Sequence, residues 1–386
     1  MSRSAVIKIL LVVVVLGAVY VAATSEPRVS RSLPAAVAPV TDGINAVKEP
    51  EAKVPPVSVV ADHLEIPWSM VFLPGGSMLF TERAGAVRLI PVGGTLMEEP
   101  VARIAGVKHI GEGGLLGIAL HPNFAENNFV YLYYTYSDSG NNTLNRVSRF
   151  TFGYGAFSSE RIVVDAIPGA SNHNGGRLAF GPDGFLYITT GDAQEPSQAQ
   201  NTQSLAGKIL RVTDEGKAAP GNTFENRVYS YGHRNPQGLA WDAEGQLWAT
   251  EHGRSGVLSG YDELNKIERG RNYGWPVIQG NETAEGMERP VLHSGATKTW
   301  APGGMAFADN ALYFAGLRGT ALYEVRVSGA SVMFSEYFKN EFGRLRDAVW
   351  GPDGFLYIAT SNRDGRGEPI SEDDRILKID IKQLGK

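Results

Sequence analysis

One short pattern recurs along this chain and limits its folds more than any other feature. It is a small-apolar-aromatic run, a Pro-Asp-Gly turn or a relative, and a second apolar run. Six copies are legible: Met70 to Phe80, Leu116 to Leu132, Arg177 to Tyr187, Gly238 to Trp248, Gly304 to Phe314 and Asp347 to Tyr357. Two of them share GPDGFLYI letter for letter, at Gly181 to Ile188 and at Gly351 to Ile358. Pro presets φ and Gly accepts positive φ, so each copy predicts two strands joined by a tight turn. The copies stand about 44 to 65 residues apart, which leaves room for two more strands before the next one. Repeats of four strands cannot bury both faces alone and must stack into a ring. The expected fold class is therefore all-β: a six-bladed β-propeller of four-stranded antiparallel blades over residues 57–386. Ring closure is expected between Val57 to Ala61 and the last strand, Arg375 to Ile381.

The N-terminus reads differently. Arg3 and Lys8 precede an apolar run from Ile9 to Ala23, short of the roughly 20 residues that span a bilayer comfortably. Small residues at Val21 and Ala23 fit a secretory signal cleaved after Ala23, and an uncleaved anchor helix is the alternative. Either way an exported domain is expected, periplasmic or secreted, touching a membrane only through that segment. Residues 24–56 are rich in Pro, Ala and Val without a sustained period, and predict a disordered linker. A formal net charge of −5 argues against a nucleic-acid partner. With no Cys in the chain, neither a disulfide nor a thiolate can take part.

In a propeller the residues just before each inner strand sit at one mouth of the central channel. Those positions hold Glu112, His173, the trio His233, Arg234 and Asn235, then Trp300, and finally Arg344 and Arg346. Three arginines meeting one His suggest a ligand with several carboxylates or phosphates, because a guanidinium fork matches such groups two bonds at a time. His173 is the candidate general base, since imidazole titrates near neutral pH. Asp192, in TTGD, returns to the same rim and can hold the other ring nitrogen. His63, His109, His121 and His293 are expected to be structural, while His233 and His252 are open. The stretch from Glu251 to Trp275 gathers Glu251, Asp262 and Glu263 in a Gly-rich loop, a composition that suits a hard cation such as calcium.

Five longer motifs carry a family resemblance: GGLLGIALHPNF, HNGGRLAFGPDGFLY with TTGD, GHRNPQGLAW, DELNKIERGRNYGWP and GRLRDAVWGPDG. From about Val57 to Ile381 the chain resembles the soluble PQQ-dependent glucose and aldose sugar dehydrogenases of the glucose/sorbosone dehydrogenase group. The resemblance implies oxidation of an aldose at C1 to a lactone, with hydride passing to PQQ. It implies His173 as base, Asp192 as its support, and Arg234 and Asn235 near the reactive carbonyls of PQQ. Arg344 and Arg346 would hold the cofactor and its carboxylates. Main-chain oxygens of Gly253 and Arg254 would bind the Ca2+ that polarises PQQ, with Glu263 and Tyr273 at a second calcium.

Three positions depart from the family pattern. Glu112 stands where the sugar dehydrogenases carry a Gln that touches PQQ, and a carboxylate there must be protonated or paired beside an anionic cofactor. Arg318 replaces a Lys and keeps its charge, and Arg254 replaces a Pro. The expected partners are an aldose and an electron acceptor that the sequence does not name, with the protein a monomer or homodimer. Two other classes stay open: a calcium-dependent lactonase-type hydrolase, and a non-catalytic carbohydrate- or protein-binding propeller.

Overall fold

The computed structural model describes residues 56–254, 260–329 and 331–385. The expected signal or anchor and nearly all of the expected linker lie outside the described residues. The rest forms six four-stranded antiparallel sheets, each with its strands hydrogen-bonded in a simple series. Five sheets are continuous in sequence. The first has Pro67–Phe72 innermost, and the next four begin with Leu115–Leu120, Leu178–Phe180, Pro236–Trp241 and Pro302–Ala308. The sixth takes three strands from Leu345–Trp350, Leu356–Thr360 and Ile376–Ile379, and its outer strand from Val57–Ala61. Val57 pairs with Ile379 and Val59 with Leu377, which is the ring closure expected from the sequence.

The repeat explains its own turns. In the two identical copies Gly184 and Gly354 both sit at φ +78°, where a side chain is strained. Their amides donate to Gly181 and Gly351. The turn aspartates are structural as well: Tyr187 donates to Asp183 at 3.0 Å and Tyr357 to Asp353 at 2.9 Å. Each strand hairpin is thus locked to its own turn.

The core is divided into wedges. Six hydrophobic clusters each join at least two neighbouring blades, such as Leu116, Tyr131, Leu178 and Leu186 between the second and third. Burying a side chain of that size contributes about 1.5–3 kcal/mol, so every blade depends on both neighbours. Inner strands of adjacent blades pack side by side around the channel. In five inner pairings the register slips near the start of the strand, at Trp68, Leu116, Gln237, Gly303 and Arg346 among others. Such bulges bend the strand and re-aim a side chain. Here they set the channel floor: Arg346 donates to Gln237 Oε1 at 2.6 Å, and Arg177 and Arg346 both lie over the Trp68 ring.

Candidate active site

A cavity of about 430 Å³ opens at one mouth of the channel. Residues of five blades line it, among them Glu112, His173, Arg234, Arg318, Arg344 and Arg346. Positions far apart in sequence are therefore neighbours, as the repeat predicts.

His173 sits in the loop before the third inner strand, at φ +60°. The loop is folded tightly against the TTGD turn, where a Cβ on Gly191 would come within 1.9 Å of the His173 carbonyl oxygen. Across that contact His173 Nδ1 lies 2.8 Å from Asp192 Oδ1. Asp192 is fully buried, and it also accepts from the Gln194 amide and from Trp275 Nε1. On the ring's other side Arg234 Nη2 stands 2.8 Å from Nε2. A carboxylate only accepts and a guanidinium only donates. The two neighbours therefore fix the neutral tautomer with its proton on Nδ1 and its lone pair on Nε2.

The arginines differ in their surroundings. Arg344 is held by Asp364, at 2.7 Å from Nη2, so part of its charge is already matched. Arg346 is buried with no carboxylate bonded to it, and no partner reaches its Nε among the described residues. Desolvation pushes its guanidinium down to about 9. Arg318 lines the cavity from the fifth blade, and Arg254 lies over the Tyr261 ring. Asn235 is fully buried behind the wall, where its Oδ1 accepts from the Gly175 amide. It steadies the His173 loop and is not a lining residue.

Glu112 is paired. Its Oε1 accepts from Arg366 Nη1 at 2.7 Å, and its Oε2 from the His173 amide at 3.0 Å. Burial alone would raise its carboxyl, but His252, Arg366 and that amide hold it down to about 2. The conflict of a carboxylate beside an anionic ligand is therefore resolved by Arg366, a residue the sequence reading missed.

The expected cation loop divides into two parts. Asp262 is a structural hub: its Oδ1 accepts from the Gly253 amide and its Oδ2 from Thr299 and the Trp300 and Ala301 amides. Glu251 is bound to His233 Nδ1 and to the Arg234 amide. The Asp262 oxygens are thus taken up by four donors, while Glu251, with one bond to each oxygen, also lines the small void beside Glu263; His233, whose other nitrogen meets Ser230, is structural. Glu263 is different. Burial and then Glu251 push its carboxyl up to about 8. Nearby, Asn265 Oδ1 and Gln279 Oε1 are buried without donors, and Glu263, Tyr273 and Gln279 share a small void. Oxygen acceptors in surplus suit a hard cation. Gly253 and Arg254 lie on the cavity wall, and residues 255–259 beside them lie outside the described residues. Among the described residues no three His, Cys, Asp or Glu side chains gather as a metal site.

Lys208 is a second residue that sequence reasoning overlooked. Fully buried, it donates from Nζ to the carbonyls of Gln198, Ala199 and Ala206, at 2.8, 2.9 and 2.5 Å. Burial pushes its ammonium down to about 7. It ties down the segment that follows Asp192 and Gln194.

Comparison with known proteins shows the family. Residues 64–372 match the family described as Glucose / Sorbosone dehydrogenase. Aldose sugar dehydrogenase YliI of Escherichia coli is 32% identical, over 80% of this chain and 91% of its own. Quinoprotein glucose dehydrogenase B of Acinetobacter calcoaceticus is 30% identical, over 62% of this chain and 56% of its own. Among solved structures, the PQQ-bound form of aldose sugar dehydrogenase from Streptomyces coelicolor aligns with a TM-score of 0.77. It is 40% identical, with 84% of this chain and 97% of that one covered.

Proposed function

The chain belongs to the glucose/sorbosone dehydrogenase family, and from that membership we propose that it is a PQQ-dependent aldose sugar dehydrogenase. The observation that carries this reading is His173, its Nε2 lone pair on the wall of an arginine-lined cavity.

The cavity suits the cofactor. PQQ is flat and carries three carboxylates, and the buried, carboxylate-free guanidinium of Arg346 is a strong anion donor beside Arg344 and Arg318. When bound, PQQ supplies the two-electron acceptor for hydride leaving the sugar's C1. His173 Nε2 takes the proton of the anomeric hydroxyl, and Asp192 stabilises the imidazolium that results. Arg234 exchanges its bond to Nε2 for oxygens in the site as that proton arrives. A Ca2+ supplies Lewis-acid polarisation; the carbonyls of Gly253 and Arg254 are its proposed ligands at the cavity, with Glu263 and the Tyr273 carbonyl at a structural second site.

The lactonase-type alternative calls for a calcium ringed by acidic and amide side chains at the channel centre. In the described centre the acidic and amide groups are instead engaged by cations, Asp347 by Arg177 and Gln237 by Arg346, with both arginines over the Trp68 ring. The apolar run from Ile9 to Ala23 supports export, which cell fractionation would test. The main test is reconstitution. Apo-protein given PQQ and Ca2+ should take up the quinone and reduce a dye with one or more aldoses. No uptake and no turnover across a broad aldose panel would leave a non-catalytic binding propeller.

A further inference from the structure

Three consecutive residues ahead of the third blade are held by one device. The Glu112 amide donates to the Ser171 carbonyl at 2.7 Å. Arg366 Nη2 donates to Asn172 Oδ1 at 2.9 Å, and the His173 amide donates to Glu112 Oε2. The remaining oxygen of Glu112 accepts from Arg366 Nη1. The loop carrying Glu112 also packs hard against this segment, where a Cβ on Gly111 would come within 2.1 Å of the Ser171 oxygen.

His173 needs such support. Its backbone sits at φ +60°, a conformation unfavourable for a residue with a Cβ. Its imidazole is oriented by Asp192, but nothing in that bond fixes the main chain beneath it. The Glu112 carboxylate does, by accepting the His173 amide, and the Arg366 fork in turn fixes the carboxylate. Each Glu112 oxygen thus serves one of these two contacts. Arg366 comes from the loop after Leu356–Thr360 in the sixth blade, so the device spans the mouth from the sixth blade to the third.

Resting on the reading of His173 as base, we propose that Glu112 and Arg366 form a positioning pair for the His173 backbone, and that Glu112 makes no contact with the cofactor. The pair acts through His173: releasing it lets the base drift, and displacements of about 1 Å cost catalysis heavily.

The test uses E112A, E112Q, R366A and the E112A/R366A double variant of the full chain. Three readouts are needed: PQQ affinity by absorbance titration, kcat and KM for an aldose, and His173 imidazole resonances in the apo-protein by 1H–15N NMR. E112A and R366A should lower kcat about 10- to 100-fold, with KM and PQQ affinity within about twofold of wild type. E112Q keeps an acceptor for the His173 amide and should lose less than E112A. The double variant should fall little further than E112A, because both changes break one unit. In the apo-protein, the Nδ1 proton signal of His173 should broaden in E112A and R366A. Weakened PQQ binding by E112A at wild-type kcat would make Glu112 a cofactor contact and overturn the proposal. So would wild-type kcat together with unchanged His173 signals. If the wild type itself neither takes up PQQ nor oxidises sugars, the functional reading fails, while the NMR comparison still decides whether the pair positions His173.

Discussion

His173 Nδ1 and the buried Asp192 Oδ1 lie 2.8 Å apart, which commits the ring's proton to the side away from the cavity. Asp192→Asn keeps the shape but offers a donor as readily as an acceptor, so the tautomer is no longer dictated. Both Asp192→Asn and His173→Ala should lower kcat about 10²–10⁴-fold. PQQ affinity, measured by titration, should change little in either. Turnover at the wild-type level in His173→Ala would remove it as the base.

Arg346 should show opposite effects on stability and on binding. It is a buried cation whose charge is unmatched by a bonded carboxylate. Arg346→Met combined with Gln237→Leu removes that cost without orphaning the Gln237 Oε1 that Arg346 donates to, and the apo-protein should gain on the order of 1 kcal/mol in denaturant unfolding. The same variant should hold PQQ much more weakly. A less stable apo-protein with intact PQQ affinity would contradict both halves.

Arg344 should behave differently because Asp364 already holds it. Arg344→Ala strands that carboxylate, so apo stability should fall by about 1–3 kcal/mol while PQQ retention weakens less than in Arg346→Met. Equal cofactor loss in the two variants, with no drop in stability, would show that the Asp364 contact is immaterial.

Acid sensitivity should report Glu112. Its carboxyl is held at about 2 in the fold against an ordinary value of 4.5. Between those values the unfolded chain binds more protons, so the stabilisation is complete above pH 4.5 and is lost as pH falls towards 2. At neutral pH it amounts to at most about 3.5 kcal/mol. Urea unfolding of wild type and Glu112→Gln should therefore differ at pH 7 and converge towards pH 2. A gap that ignores pH would refute the linkage.

Lys208→Met leaves the buried Ala206 carbonyl without its donor and takes a second donor from the Gln198 and Ala199 carbonyls, which keep the Asn201 and Gly232 amides. The expected cost is about 1–3 kcal/mol, seen as a lower melting temperature. Because the affected segment follows Asp192, kcat should fall as well. An unchanged melting temperature would show that the ammonium contributes nothing to the loop.

The blades were legible because the turn chemistry repeats: Pro, Asp and Gly each have a local task that survives divergence of the strands. The mouth of the channel was legible for residues before an inner strand or at its first bulge, hence His173, Arg234, Arg344 and Arg346. Arg366 and Asp364 escaped because they follow a second strand, at Leu356–Thr360, in a loop that leans over the mouth from the far side of the ring. Which acid pairs with which arginine depends on distances across the channel that no local pattern encodes. Asp262 misled for a related reason. Its composition resembles a cation loop, yet its oxygens are spent on four donors, three of them brought in from Thr299, Trp300 and Ala301.

The strand Val57–Ala61 has a consequence for biogenesis, since it waits for Ile376–Ile379 before its blade can be finished. Arg344, Arg346 and Arg366 ride on that blade. A nascent polypeptide can therefore stack its middle blades while still lacking three of the guanidinium groups at the channel mouth. On the proposed role of these arginines, quinone would bind and stabilise only rings already shut.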